Sequence, residues 1–240
     1  MTGEAWTQDS FLGGRLLIAQ PKSGFRAGHD TVLLAAAVPA HEGSRVLELG
    51  SGAGVASLCL ASRVPGVEVL GVEIDAELVA HANESAARNA MATRIRFACG
   101  DAVAVPGADE FDHVFFNPPF HPRTGQESAN PTRTRAMRDP ENAVEAWTRT
   151  ALRLVKPGGT VTAIVRADRV PKVLAVGGDG IVFPLFPHAG EAPKRAIVQF
   201  VKGGTAPLRT SSGLILHEAD GRNTEAAEAV LRHGAALRLG

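Results

Sequence analysis

The chain has 240 residues, enough for one α/β domain with a large core, and 45% of them are hydrophobic, as in ordinary soluble globular chains. Its 25 Lys+Arg balance 25 Asp+Glu, so net charge offers no general attraction to nucleic acid. The apolar runs, such as Thr31–Ala40, are too short for a bilayer, Met1–Ser10 has two acids and no basic n-region, and the eight histidines lack ligand spacing; a cytoplasmic protein with no membrane segment and no metal is expected.

Phe11 to Gln20 reads as a hairpin, two apolar arms about Gly13-Gly14, ended by Pro21. Gly24-Phe25-Arg26-Ala27-Gly28-His29-Asp30-Thr31 then leads into a Leu/Ala helix over Val32–Val38, with Asp30 or Thr31 as N-cap. Next comes the stretch that organises the chain, Val46-Leu47-Glu48-Leu49-Gly50-Ser51-Gly52-Ala53-Gly54. A short apolar run ending in glycines predicts a buried strand and a turn, and Val55, Leu58 and Leu60 predict a helix over Gly54–Arg63. In open α/β sheets the carboxyl end of such a strand is where ligands bind. A dinucleotide fingerprint wants its third glycine where this chain has Val55.

Val67–Val72 is a second strand, and Asp75 caps a helix running to about Ala90. Ile95–Ala98 and Phe111–Phe116 are the next strands, the latter ending in Asn117-Pro118-Pro119-Phe120. Residues 121–139 form a long polar loop, and between His121 and Arg138 it holds Arg123, Arg133, Arg135 and Arg138 against one acid, Glu127. A helix runs from Pro140 through Trp147 to Val155, stopped by Lys156-Pro157-Gly158-Gly159, and Thr160–Val165 is the fifth strand. A helix near Asp168–Val176, strands at Gly180–Phe186 and Ala196–Val201, and an appended strand and helix (Leu214–His217, Glu225–Arg232) complete the chain. A second basic run holds Lys194, Arg195, Lys202 and Arg209 without an acid. Cys59 and Cys99 have apolar neighbours and are expected to be buried thiols. The alternation of strands and helices predicts a mostly parallel sheet with helices on both faces.

The glycine spacing, Glu48 before it, Gly71-Val72-Glu73-Ile74-Asp75 at the second strand end and Asn117-Pro118-Pro119-Phe120 at the fourth together resemble the class I S-adenosylmethionine (SAM) methyltransferases. Within them the chain resembles the Asn-Pro-Pro-aromatic group that methylates planar amino groups. Gly24–Leu34 and the stretch from Lys202-Gly203-Gly204 to His217-Glu218 are most similar to the bacterial tRNA1(Val) adenine-37 N6-methyltransferases. The resemblance implies a Rossmann-like α/β fold with a seven-stranded, mostly parallel sheet and a short N-terminal hairpin. It implies one methyltransferase domain over 1–240: hairpin and helix 1–40, SAM-binding core 41–202, appendage 203–240.

It also implies roles. Gly50, Ser51, Gly52 and Gly54 let the backbone approach the amino-acid part of SAM, since a Cβ there would collide. Glu48 accepts from the cofactor's ammonium, Glu73 with Ile74 serves the ribose hydroxyls, and Asp101 with Ala102 receives the adenine amino group. Asn117 borders the cofactor as well, and with the Pro118 carbonyl it accepts the two N–H bonds of the target amine, aiming the lone pair at the methyl carbon for in-line displacement. Pro119, like Pro118, has no N–H to compete. Phe120 offers a stacking face, and His121, Arg123, Arg133, Arg135 and Arg138 face the substrate, an RNA and most readily tRNA. Adenine N6 is the implied target, with guanine N2 in rRNA and a glutamine side-chain amide as alternatives. A SAM- or RNA-binding module without turnover is the alternative of a different class. No metal is implied.

Overall fold

The computed structural model describes residues 5–24, 26–119 and 140–240, and only the backbone of 140–142. Strands β1 (Trp6–Phe11) and β2 (Leu16–Pro21) pair antiparallel as the expected hairpin. The main chain order is then α1 (His29–Ala37), β3 (Arg45–Leu49), α2 (Val55–Arg63), β4 (Glu68–Glu73), α3 (Ala76–Arg88), β5 (Ile95–Cys99) and β6 (Phe111–Phe116). It continues with α4 (Pro140–Leu154), β7 (Val155–Arg166), α5 (Val170–Gly177), β8 (Ile181–Phe186), β9 (Arg195–Val201), β10 (Arg209–Thr210), β11 (Leu214–Ile215) and α6 (Glu225–Leu231).

The sheet has nine strands in the order β10-β8-β9-β7-β6-β3-β4-β5, with β11 also paired to β8. Only β9 runs antiparallel to its neighbours, β7 and β8. The seven strands anticipated from the sequence form its body. Two further two-residue strands add parallel to β8: β11, which falls within the appended strand expected over Leu214–His217, and β10, which is too short to show any period.

Side-chain alternation splits the core in two. Val46, Phe115 and Ile164 face a layer made by α1, α2, part of α3 and α6, whereas Leu47, Leu49, Phe116 and Ala163 face α4 and α5. Period-two alternation therefore turns Glu48, like Val46, toward α2. The hairpin is tied to α3 through the outer edge of β2. Asn89 Oδ1 accepts from the Leu17 N–H (3.2 Å), Asn89 Nδ2 donates to the Leu17 carbonyl (2.9 Å) and Ser85 Oγ accepts from the Ala19 N–H (3.2 Å). An edge that would otherwise invite strand pairing is thereby satisfied by side chains.

Two local expectations are corrected. The residue preceding α1 is Gly28, and neither Asp30 nor Thr31 caps the helix: Asp30 Oδ2 accepts instead from Arg195 Nε (2.9 Å) on β9, and the Thr31 hydroxyl is buried without a partner. Cys59 is buried, but Cys99 is exposed at the end of β5. No helix of the described residues is long and apolar enough to cross a membrane, and no metal-binding cluster of His, Cys, Asp or Glu occurs among them.

Candidate active site

The carboxyl ends of β3, β4, β5 and β6 carry the residues singled out in the sequence. Past Leu49 the backbone turns, and the Gly50 and Ser51 N–H groups both donate to the Val72 carbonyl (2.8 and 3.0 Å), pinning the turn to β4. All three glycines take left-handed backbone, Gly50 at φ +67°, Gly52 at +53° and Gly54 at +81°. Their surroundings separate them. A Cβ on Gly50 would strike the Trp147 ring, and one on Gly54 would strike Phe97 and Ala82. On Gly52 it would meet nothing within 4 Å. Gly50 and Gly54 thus make room for the protein's own rings, and of the three glycines Gly52 alone faces open space.

Trp147 escaped the sequence reading except as a position on a helix. It lies on α4, over Gly50, with its ring centroid 6.0 Å from that of Phe116 in an edge-to-face contact. This ties the glycine turn to the end of β6. The only hint in the sequence was a large aromatic on an amphipathic helix, and nothing in the period names its partner.

Glu48 is buried, and its Oε2 accepts from both the Ser57 N–H and the Ser57 hydroxyl in the first turn of α2. Burial pushes its carboxyl up to about 8, against the lowering effect of those two bonds, with Glu73 adding to the rise. Glu73 is buried too; its Oε2 accepts from the Gly52 N–H (2.9 Å) and its Oε1 from the Asp75 N–H (3.1 Å). These backbone bonds fix the orientation of the carboxylate at the end of β4. Asp75 caps α3 as expected, accepting from the Glu77 and Leu78 N–H groups (3.0 and 3.3 Å). Ile74 follows Glu73, and its carbonyl accepts from Cys99 Sγ at 3.5 Å. Asp101 accepts from the Val103 N–H (3.0 Å) and stands beside the buried Ala102.

Phe116 is the last residue of β6 and pairs with both Leu49 of β3 and Ala163 of β7. Asn117 therefore leaves the sheet next to the glycine turn. Its Oδ1 is buried and has no hydrogen-bond partner among the described residues, and the same holds for Ser51 Oγ. Pro118 is buried and Pro119 exposed. Phe120, His121, Arg123, Arg133, Arg135 and Arg138 lie outside the described residues.

Glycine turn, carboxylates and Asn117 thus meet at one edge of the sheet. Open space over Gly52, a buried serine hydroxyl and a buried amide oxygen lacking partners, and two oriented carboxylates suit a ligand that is part cation and part polar sugar, which is the character of SAM. The methyltransferase small domain family matches residues 26–169. A tRNA1(Val) (adenine(37)-N6)-methyltransferase of Bacteroides fragilis is 24% identical over 230 residues, covering 95% of this chain and 92% of its own. The protein of the same name from Porphyromonas gingivalis is 29% identical over 235 residues, covering 89% of each chain. Among solved structures, a predicted O-methyltransferase of Agrobacterium tumefaciens matches with a TM-score of 0.73 at 26% identity, over 87% of this chain and 98% of its own. The 16S rRNA N2 G1207 methyltransferase of Thermus thermophilus, solved with SAM and guanosine, shares the fold at a TM-score of 0.57 and 20% identity, over 82% of this chain and 50% of its own. With that fold, that site and those relatives, the chain is a SAM-dependent methyltransferase and belongs to the methyltransferase small domain family.

Proposed function

We propose that this methyltransferase acts on the exocyclic N6 amino group of an adenine in RNA, with tRNA as the substrate. One observation carries the reading: a buried amide oxygen, Asn117 Oδ1, stands without a partner among the described residues at the end of β6, beside the glycine turn. A buried unpaired acceptor costs about 1–3 kcal/mol, so its retention points to a donor that arrives from outside. The names of the relatives that cover nearly the whole chain direct that donor toward an adenine in tRNA.

On this reading Gly52, Ser51, Glu73, Ile74, Asp101 and Ala102 hold the cofactor, whose contribution is a methyl group on a positively charged sulfur. Glu48 acts from below, by fixing the start of α2 through Ser57 and by its carboxyl near the ammonium end. The chain's own part in the reaction is orientation. An aromatic amine is a poor nucleophile because its lone pair is delocalised into the ring. Asn117 Oδ1 and the Pro118 carbonyl accept its two N–H bonds, bending the nitrogen toward tetrahedral geometry and freeing the lone pair for attack. The buried setting excludes water. The methylated nitrogen is acidic and releases its proton without a dedicated base. Phe120 stacks on the extruded base, and the arginines after it meet phosphates.

The test is transfer of labelled methyl to an unmodified tRNA1(Val) transcript, with nucleoside mass spectrometry to identify the product. N6-methyladenosine is expected, and Asn117→Ala is expected to lower kcat on the order of 10²–10³-fold, with KM for SAM little changed. N2-methylguanosine in rRNA, or a methylated glutamine in a protein, would replace the adenine reading with one of its alternatives. Near-normal turnover by Asn117→Ala would remove the mechanism.

A further inference from the structure

The carboxyl edge of the sheet does not stop at Asn117. Phe116 pairs with Ala163, so Asn117 stands level with Ile164, and β7 runs on to Arg166. Arg166 pairs with Arg195 of β9, and Arg195 with Leu185 of β8. His188 follows the end of β8. β11 pairs with the same end of β8, and the His217 N–H donates to the Pro187 carbonyl at 3.0 Å. His29, at the start of α1, closes the group: its ring centroid is 5.8 Å from that of His217, which is 5.7 Å from that of His188.

This places three imidazole rings in one run, at the far end of a shelf that begins at the target-amine acceptor. From β6 to β11 there are four strand-to-strand steps, roughly 19 Å at about 4.8 Å per step. At a rise of about 3.4 Å per stacked nucleotide the shelf spans roughly five nucleotides. Between the two ends lie Arg166, Arg169, Lys194 and Arg195, against Asp168 and Asp30, which are engaged by Arg166, Arg169 and Arg195, while Glu191 and Glu218 are backbone neighbours of His188. Lys194 is exposed, and His29 is exposed as well. His217 Nδ1 is shut away from solvent without a hydrogen-bond partner. Partial desolvation on its packed side and the neighbouring His217 hold His29 below its ordinary range, with Asp30 and Glu228 opposing, while its other side stays exposed. Among the described residues the carboxyl edge beyond β6 therefore combines ring faces with cations, and ring faces with cations are what an unpaired RNA strand engages through its bases and phosphates.

Building on the RNA reading above, we infer that the shelf of His29, His188 and His217 with Lys194 binds the unpaired strand flanking the target nucleotide, bases on the imidazoles and phosphates on the lysine. The substrate contacts expected from the sequence lie at Asn117, Pro118 and the segment that follows; of the present surface, at the ends of β8, β9 and β11 on the other side of β7, only Lys194 stood out there, in the second basic run. In an anticodon-type loop it would hold the nucleotides next to the extruded base, and so decide which adenine reaches Asn117.

The experiment is fluorescence titration of the full-length protein with an unmodified tRNA1(Val) transcript at several salt concentrations. His188→Ala is expected to weaken binding about five- to tenfold, in keeping with the loss of one stacked base. His188→Phe keeps a ring and is expected to bind within about twofold of wild type. Lys194→Gln is expected to flatten the slope of log K against log salt by about 0.7–0.9. SAM affinity, read by calorimetry, is expected to stay unchanged in all three. Wild-type binding by His188→Ala, equal weakening by His188→Phe, or an unaltered salt slope in Lys194→Gln would each overturn the shelf while leaving the methylation reading standing. A wild-type protein that neither binds nor methylates the transcript would remove both.

Discussion

Replacing Glu48 by Gln is expected to stabilise the cofactor-free protein, and to do so in proportion to pH. The carboxyl is enclosed between β3 and α2, and burial raises it from the ordinary 4.5 to about 8, with the Ser57 hydroxyl and N–H opposing and Glu73 reinforcing. The unfolded chain gives up this proton near 4.5, whereas the folded chain keeps it to about 8. Across that interval folding takes up a proton, so wild-type stability falls as pH rises through it and is level outside it. Glutamine fits the same space, its oxygen still accepts from Ser57, and it carries no proton to lose. The advantage of Glu48→Gln should therefore be small near pH 4.5 and climb by about 1.36 kcal/mol per pH unit, to a bound of roughly 5 kcal/mol at pH 8. Urea denaturation of both proteins at about pH 5, 6.5 and 8, without SAM, reads the difference directly. Parallel stabilities at the three values would mean that Glu48 is ionised in the folded protein throughout, and the argument from burial would fail.

Two further outcomes follow from the same geometry. Gly52→Ala should fold with a penalty of only about 1–2 kcal/mol, from left-handed backbone, yet lose at least about tenfold in SAM affinity. Gly50→Ala carries the same backbone penalty and should lose about 1–3 kcal/mol more, as its Cβ meets Trp147; thermal melts rank the two variants and calorimetry reads SAM binding, and undiminished SAM binding by Gly52→Ala would take that glycine out of the cofactor site. His113 is held down to about 4 by burial, against the pull of Asp112. Its folded value lies below its unfolded one, so stability is lost as pH falls from about 6.5 to about 4, by up to roughly 3 kcal/mol. His113→Gln should flatten that limb of the urea midpoints, and an equally steep loss in the variant would assign acid sensitivity elsewhere.

What could be read from the sequence was what neighbours along the chain determine. Strand, glycine turn and helix at 46–63, the Asp75 cap and the placing of Asn117 at a strand end all depend on contiguous residues, and they stand where the pattern put them. What could not be read depends on partners far away in the chain. That Gly50 answers to Trp147 and Gly54 to Phe97 requires α4 and β5 to be placed first. Asp30 looked like a cap because caps are local; Arg195, 165 residues on, claims it instead. β10 is invisible because two residues cannot show a period of two, and the strand expected at Leu214–His217 does not reveal that β11 pairs with β8. Glu48 shows both sides. Its burial followed from its place in an apolar strand, but its bond to Ser57 follows only once β3 and α2 are packed together.

Asn117 gives the last prediction, because function and stability should move there in opposite directions. Its Oδ1 is removed from water and paired with nothing among the described residues, an expense of about 1–3 kcal/mol. β6 is clamped between β3 and β7, so the strand end cannot swing away to hydrate the amide. Asn117→Ala removes the stranded acceptor together with a few contacts of the amide group, and the first effect should equal or exceed the second. The melting temperature is then expected to hold or to rise by about 2–4 °C per kcal/mol gained, while turnover collapses. A melt several degrees lower would mean that the amide supports the fold, and its unpaired oxygen would lose its standing as a site kept open for an incoming donor. Ser51→Ala supplies the control, since Ser51 Oγ is buried and unpartnered one strand away. Removing that hydroxyl should likewise leave stability intact, but its effect should fall on SAM affinity rather than on kcat, because it lies on the glycine turn and not at the end of β6.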